Sequence, residues 1–158
     1  MTRIAIVASL ALVLVAVNFS IVAKERIKTN GEQIYLELAP VDPRSLMQGD
    51  YMALRFAIAS QISTEQSGSA GLQVDDNRLA KLHPEQGAPG LRIRYRIRNG
   101  QVWLGTNAYF FEEGNAGRYA GARYGEFRVD RETGEAVLVG LADKDFKDLG
   151  SREAAPNE

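Results

Sequence analysis

The chain of 158 residues contains no cysteine, which excludes disulfides, zinc–thiolate sites and thiol nucleophiles. It also lacks a charge imbalance, because 19 Lys and Arg residues face 20 Asp and Glu residues and leave a net charge of −1. A chain with this balance has no general attraction to nucleic acid, so no nucleic-acid partner is predicted. The overall composition is ordinary for a globular protein, but its apolar residues are unevenly placed.

Sequence motifs for cofactors and nucleophiles are missing as well. The chain has no Gly-x-Gly-x-x-Gly, no P-loop and no Gly-x-Ser-x-Gly. Its single histidine, His83, stands in a loop before Pro84, and the acids around it (Asp75, Asp76 and Glu85) do not show the spacing of metal ligands on a helix or hairpin. We therefore predict neither a metal site nor a cofactor.

Residues 4–23 form a run of 20 residues without a charge, rich in Leu, Val, Ile and Ala. As a helix this run would be about 30 Å long, which matches the hydrocarbon thickness of a bilayer. It predicts a transmembrane anchor, preceded by a tail at residues 1–3 and followed by a juxtamembrane linker at 24–31. A cleaved signal peptide is disfavoured, because a cut after Ala23 would place the large Ile21 where a small residue is needed. A buried helix is disfavoured, because a helix that is apolar on all sides needs a core large enough to surround it, and this chain is too short to provide one.

The flanking charges do not fix the orientation of this anchor. Arg3 precedes the run, whereas Lys24, Arg26 and Lys28 follow it. Counting positive charges alone leans towards a cytoplasmic location for the rest of the chain.

Residues 32–150 predict one β-rich domain, so the fold class is mainly β (α+β): an antiparallel β-sheet or small barrel with at most one short helix. Residues 60–71 are polar and rich in Ser, Gly and Gln and predict a mobile loop, and residues 151–158 predict a disordered tail. The predicted strands lie at 32–39, 51–58, 72–74, 91–98, 101–104 with a continuation at 109–111, 124–130 and 136–141, with the short helix at 113–122.

The clearest local pattern is a hairpin over residues 91–104, where strict alternation meets Asn99-Gly100. Asn-Gly suits a two-residue type I′ turn, since both residues tolerate positive φ. This register places Arg98 opposite Gln101 and Arg96 opposite Trp103. The face of the hairpin that must be the core side then carries Leu91, Ile93, Tyr95, Ile97, Val102 and Leu104.

The other face of the hairpin presents an arginine stripe beside Trp103, and the stripe consists of Arg92, Arg94, Arg96 and Arg98. One interpretation makes these residues a contact for a partner protein or an anionic lipid. The other makes them a solvated face, with Arg96 over Trp103 and the charges paired to acids such as Glu37, Asp75 or Asp76.

The segment around residue 50 resembles the bacterial family named for its GDYXXLXY motif. Gly49, Asp50, Tyr51 and Leu54 match the motif, and Phe56 stands where the name has tyrosine. The resemblance extends to the N-terminal anchor, to residues 109–114 and to a short run before the motif that comprises Asp42, Pro43, Arg44 and Ser45.

This resemblance implies a single-pass protein of the bacterial inner membrane with an extracytoplasmic (periplasmic) domain, working beside a polytopic membrane protein. It supplies no catalytic residues. We therefore expect an accessory or interaction protein of a membrane assembly, in contact with the lipid bilayer, rather than an enzyme.

Two alternatives remain open at this point. One is an envelope hydrolase on a barrel that resembles signal peptidases, with Ser45 or Asp50 in the reaction. The strand that would supply a lysine base offers only arginines, which stay protonated. A carboxylate pair at Glu112 and Glu113 is disfavoured, since neighbours in a strand point to opposite faces. The other alternative is a domain that senses an anionic lipid or small ligand.

Overall fold

The computed structural model of the protein describes residues 2–39, 47–48, 51–85 and 89–150. The motif residues Gly49 and Asp50, the preceding run 42–45 and the tail 151–158 lie outside the described residues. The same holds for the side chains at positions 2–5, 8, 47 and 48.

Helix α1 (Thr2–Asn30) is one uninterrupted element. No glycine or proline occurs between its ends, and these are the residues that most disfavour a helix interior. The helix therefore takes up most of the region 24–31, for which the sequence predicted a linker, and also Thr2 and Arg3 of the predicted tail. It ends at Gly31, whose N–H donates to the Ile27 carbonyl at 2.8 Å. A Cβ at Gly31 would lie 2.4 Å from that oxygen, so this tight exit requires glycine.

The large apolar side chains of α1 from Ile6 to Val22 are largely uncovered by the rest of the chain. Each has 50–75% of its surface exposed, and the set is Ile6, Val7, Leu10, Leu12, Val13, Leu14, Val15, Val17, Phe19, Ile21 and Val22. Among the residues that the structure describes, no helix meets both the length and the apolarity needed to cross a membrane.

The remainder of the described chain is mainly β, as predicted, and its strands form three antiparallel sheets. The strands are β1 (Glu32–Glu37), β2 (Met47–Gln48), β3 (Tyr51–Ala53), β4 (Gly68–Val74), β5 (Ala80–Leu82), β6 (Leu91–Arg98), β7 (Gln101–Trp103), β8 (Ala108–Phe110), β9 (Tyr124–Val129) and β10 (Ala136–Ala142). Strand order is β1-β9-β10 in the first sheet, β2-β3-β8 in the second and β5-β4-β6-β7 in the third. A short helix, α2 (Ala116–Tyr119), lies within the range predicted for one.

Two predicted segments are wrong in part. The predicted mobile loop 60–71 contributes its last four residues to β4, which is a central strand paired with both β5 and β6. Its small residues fit between two strands, and the pairing satisfies their backbone groups. The predicted strand 51–58 ends at Ala53, and residues Ala57–Gln61 form a 3-10 helix. Ile58 is nevertheless buried, as the apolar alternation predicted. The alternation thus identified a core residue, although the backbone at that residue is helical and not extended.

The core is one cluster that takes side chains from all three sheets. Its largest fully buried members are Phe127, Ile34, Leu36, Ile93, Leu104, Leu141 and Val129. Strand β9 is central to its sheet, with β1 and β10 on its two sides, so Phe127 is covered from both. Among the described residues no charged or polar side chain is buried, so the core avoids the cost of removing such groups from water.

The predicted hairpin is confirmed in its register. Arg98 pairs with Gln101, Ile97 with Val102 and Arg96 with Trp103. The turn residues Asn99 and Gly100 have φ values of 51° and 70°, as a type I′ turn requires.

Candidate functional site

A basic cleft lies where α1 meets the sheets, and it is the candidate functional site. Its volume is about 310 Å³. Four cationic side chains, one carboxylate and one aromatic ring dominate its lining, which comprises Lys24, Arg94, Arg96, Arg98, Trp103, Gly105, Glu135 and Ala136. We refer to these residues as the basic cleft. It unites three of the four stripe arginines and Trp103 with two residues that the sequence did not connect to them, Lys24 and Glu135.

The hairpin β6–β7 supplies one wall of the basic cleft. Because side chains alternate between the two faces of a strand, the buried Ile93 and Val102 commit the arginines to the opposite face. Trp103 lies on that outer face too, since its cross-strand partner is Arg96. The same alternation that fills the core therefore produces the row of cations.

The turn between β9 and β10 supplies the opposite wall. The Gly134 carbonyl accepts a hydrogen bond from the Arg94 backbone N–H at 2.7 Å, which fixes the turn against β6. Asp130 closes this turn by accepting bonds from the backbone N–H groups of Thr133 (2.7 Å) and Glu132 (3.1 Å). These bonds to the charged carboxylate hold the pKa of Asp130 below its usual range. The turn thus carries Glu135 to the arginines.

Glu135 links the helix to the sheet. Its carboxylate lies 2.8 Å from Lys24 Nζ and 3.9 Å from an Arg94 guanidinium nitrogen. The hydrogen bond from Lys24 holds the pKa of Glu135 below its ordinary value of 4.5. Glu135 is therefore the acidic counterpart that the stripe needed. Within the described residues, Glu37, Asp75 and Asp76 make no ion pair with the stripe, so that prediction is wrong.

Trp103 stacks with a different arginine from the one predicted. The guanidinium carbon of Arg98 lies 5.2 Å from the indole centroid, within cation–π range. Arg96 is directly opposite Trp103 in the ladder, but residues on the diagonal are also within reach of long side chains. The Arg96 side chain is left exposed, and its guanidinium makes no hydrogen bond or ion pair with any residue in the described ranges.

Arg92 does not line the basic cleft. Its guanidinium donates to the Ser69 hydroxyl at 2.9 and 3.2 Å and to the Ser69 carbonyl at 3.3 Å. The predicted stripe is thus divided into one arginine that is bonded to the neighbouring strand and three that face the cleft.

The described part of the GDYXXLXY motif is structural. Leu54 and Phe56 are buried, and Phe56 packs edge-on against Phe127 at 5.2 Å between ring centroids. A hydroxyl is therefore not needed at position 56. Tyr51 pairs with Phe110 across β3 and β8, with ring centroids 5.8 Å apart. The strand of the motif is thus aligned with β8, which overlaps residues 109–114, the second segment that carries the family resemblance.

The candidate groups outside the cleft that the structure describes are His83, Glu112 and Glu113. The half-buried His83 accepts a bond from the Glu85 N–H at 3.1 Å, which makes it part of a loop turn. Glu112 and Glu113 are exposed. Nearby, burial raises the pKa of Tyr109 to about 12, so its hydroxyl stays protonated. Within the described residues, no cluster of three or more acidic, histidine or cysteine side chains could hold a metal ion.

Comparison with known proteins gives one match. A family model described as "GDYXXLXY protein" matches residues 13–141, which is most of the chain. No curated protein and no solved structure matched in the corresponding comparisons.

Proposed function

We propose that this chain, which belongs to the GDYXXLXY protein family, is a membrane-anchored accessory protein of a bacterial membrane assembly. Helix α1 is its transmembrane anchor, and the β domain docks on an integral partner at the membrane surface. The observation that carries this proposal is that α1 is one unbroken helix. Its apolar side chains from Ile6 to Val22 are uncovered, whereas its C-terminal part packs on the sheets.

The surface of α1 supports the anchor. The exposed apolar side chains from Ile6 to Val22 surround the helix, and a contiguous apolar surface of this kind marks a membrane or protein contact. The uncharged run of residues 4–23 begins two residues before Ile6, the first side chain of α1 that the structure describes. Its length of about 30 Å as a helix suits the hydrocarbon layer.

Polar side chains within the run are bonded inside the helix itself. Ser9 donates to the Ile6 carbonyl at 2.9 Å, and Ser20 donates to the Ala16 carbonyl at 3.0 Å. The Asn18 amide likewise donates to the Leu14 carbonyl at 2.8 Å. Such bonds reduce the cost of placing these groups in lipid, where water cannot satisfy them. They also leave the Asn18 side-chain oxygen able to accept a bond from a neighbouring helix.

The junction of α1 with the sheets favours a fixed domain over a freely tethered one. Ile27 is 6% exposed, and α1 packs on β9 and β10. The Lys24–Glu135 pair and the tight exit at Gly31 add two further constraints. A domain held in this way presents the same face to the bilayer and to a partner, as an accessory subunit requires.

The proposed location is the bacterial inner membrane, with the β domain on the extracytoplasmic side. This orientation rests on the family resemblance rather than on the flanking charges. The hydrolase alternative depends on Ser45 and Asp50, which are outside the described residues, and no observation on the described part favours it.

The partner is tested by purifying the full chain, tagged after Glu158, from detergent-solubilised native membranes. We expect near-stoichiometric recovery of a polytopic membrane protein. A control in which residues 4–23 are replaced by a leucine-rich helix of equal length keeps the β domain unchanged. Retention of the partner by this control assigns the contact to the β domain. Recovery of a folded chain alone would contradict the accessory role.

A further inference from the structure

We propose that the basic cleft binds the phosphate group of an anionic phospholipid in the membrane that holds α1. This inference rests on the proposed anchor, and it adds a ligand and a site to it. Four observations carry it: the charge of the cleft, its unpaired arginine, its place beside the helix and its size.

The charge of the basic cleft favours an anion. Lys24, Arg94, Arg96 and Arg98 contribute four positive charges, whereas Glu135 contributes one negative charge. Glu135 lies close to Lys24 and Arg94 and offsets part of their charge. Arg96 and Arg98 lie two and four residues beyond Arg94 on β6, and neither forms an ion pair with a described carboxylate. Glu135 feels the charge of Arg96 only at longer range.

Arg96 is the residue best placed to bind a phosphate. Its guanidinium is exposed and makes no ion pair or hydrogen bond within the described ranges. A guanidinium can donate two parallel hydrogen bonds to a phosphate, and its planar fork fits that group better than an ammonium does. Arg98, held over the Trp103 ring, lines the same wall of the cleft.

The position of the basic cleft matches the depth of lipid headgroups. Lys24 directly follows Ala23, the last residue of the uncharged run, and its ammonium lines the cleft. With residues 4–23 in the hydrocarbon layer, the cleft lies at the boundary between hydrocarbon and water. Trp103 fits the same place, since tryptophan is enriched at membrane interfaces.

The cleft is also large enough for a headgroup. Its volume of about 310 Å³ lies at the lower end of the range for small-molecule sites, roughly 300–1,000 Å³. A glycerol phosphate is of that scale, while the acyl chains would extend beside α1. Anionic phospholipid is therefore the occupant that both the charge and the location fit.

The test uses the full chain in nanodiscs of phosphatidylcholine with increasing mole fractions of phosphatidylglycerol. Trp103 is the only tryptophan of the chain, so its fluorescence emission reports on the basic cleft without labelling. We expect a saturable change in emission as phosphatidylglycerol increases, and a weaker response at higher salt.

Arg96→Gln is the informative variant, and Arg92→Gln is its matched control. Both remove one positive charge from the same face of β6, but Arg92 does not line the cleft. We expect Arg96→Gln to raise the phosphatidylglycerol fraction at half-saturation about fivefold, the effect of one basic residue at a charged membrane surface. Arg92→Gln should leave it unchanged. Equal effects of the two variants, or no emission response, would overturn the proposal.

A soluble phosphate ester is the other source of the same chemistry. Glycerol 3-phosphate is therefore titrated into the protein in pure phosphatidylcholine nanodiscs. Saturation by this ester without any response to phosphatidylglycerol would overturn the lipid assignment. If the chain instead fails to enter nanodiscs while its Trp103 responds to phosphatidylglycerol vesicles, the anchor is wrong and the cleft assignment stands.

Discussion

Replacing Val13 by arginine is expected to lower the fraction of the protein that inserts into membranes. Val13 lies at the middle of the uncharged run, and 56% of its surface is exposed. An arginine at the centre of a membrane-spanning helix costs about 2.5–3.5 kcal/mol on insertion scales. That cost corresponds to a decrease of roughly 100-fold in the ratio of inserted to non-inserted chain. The measurement is the amount of protein that stays in the membrane pellet after alkaline carbonate extraction.

Val13→Leu is the matched control, since leucine keeps the position apolar and should leave the pelleted fraction unchanged. A helix that merely lies on a surface or on another soluble protein would be extracted even in the unsubstituted chain. Extraction of the unsubstituted chain by carbonate, or equal pelleting of both variants, would contradict the transmembrane assignment of α1.

Replacing Phe127 by alanine is expected to destabilise the β domain more than most other single truncations. Phe127 is fully buried in the central strand of its sheet and packs edge-on against Phe56. Truncation of a buried phenylalanine costs about 3–5 kcal/mol, because it loses apolar burial and leaves a cavity. Such a loss is a large part of the total stability of a small domain, which is about 5–15 kcal/mol. Urea unfolding of the full chain in detergent micelles, followed by circular dichroism, measures the change in unfolding free energy.

Phe110→Ala supplies the comparison for this prediction. Phe110 is the same residue type in a neighbouring sheet, but 74% of its surface is exposed. We expect a loss of about 1 kcal/mol or less, since the ring contact with Tyr51 is the main interaction removed. Equal destabilisation of the two variants would contradict the assignment of Phe127 to the core and of Phe110 to the surface.

Features set by neighbouring residues were predictable from the sequence. The β6–β7 hairpin follows from strict alternation and the Asn99-Gly100 turn, and both its register and its positive φ values are confirmed. The strands predicted at 124–130 and 136–141 are also confirmed, as β9 (Tyr124–Val129) and β10 (Ala136–Ala142), which pair with each other. The row of arginines on the outer face of β6 is a direct consequence of the apolar residues between them.

Features set by distant residues were not predictable. Glu135 reaches Lys24 across 111 positions of the chain, and no local pattern signals that pair. The cleft was missed for this reason, although three of its arginines and Trp103 were singled out. The first four residues of strand β4 were missed because small and polar residues resemble a loop, whereas the backbone pairing with β6 decides their structure. The rest of β4, residues 72–74, was predicted as a strand. Tertiary context overrides strand propensity at such positions.

Cysteine accessibility is the measurement that tests the membrane anchor most directly, because the chain has no cysteine of its own. Val13→Cys places a thiol at the centre of the uncharged run, and Asp76→Cys places one in an exposed turn of the β domain. Intact cells are treated with a membrane-impermeant maleimide. We predict labelling at position 76 and none at position 13 until the membrane is dissolved in denaturing detergent. Labelling of both thiols at similar rates in intact membranes would contradict the account.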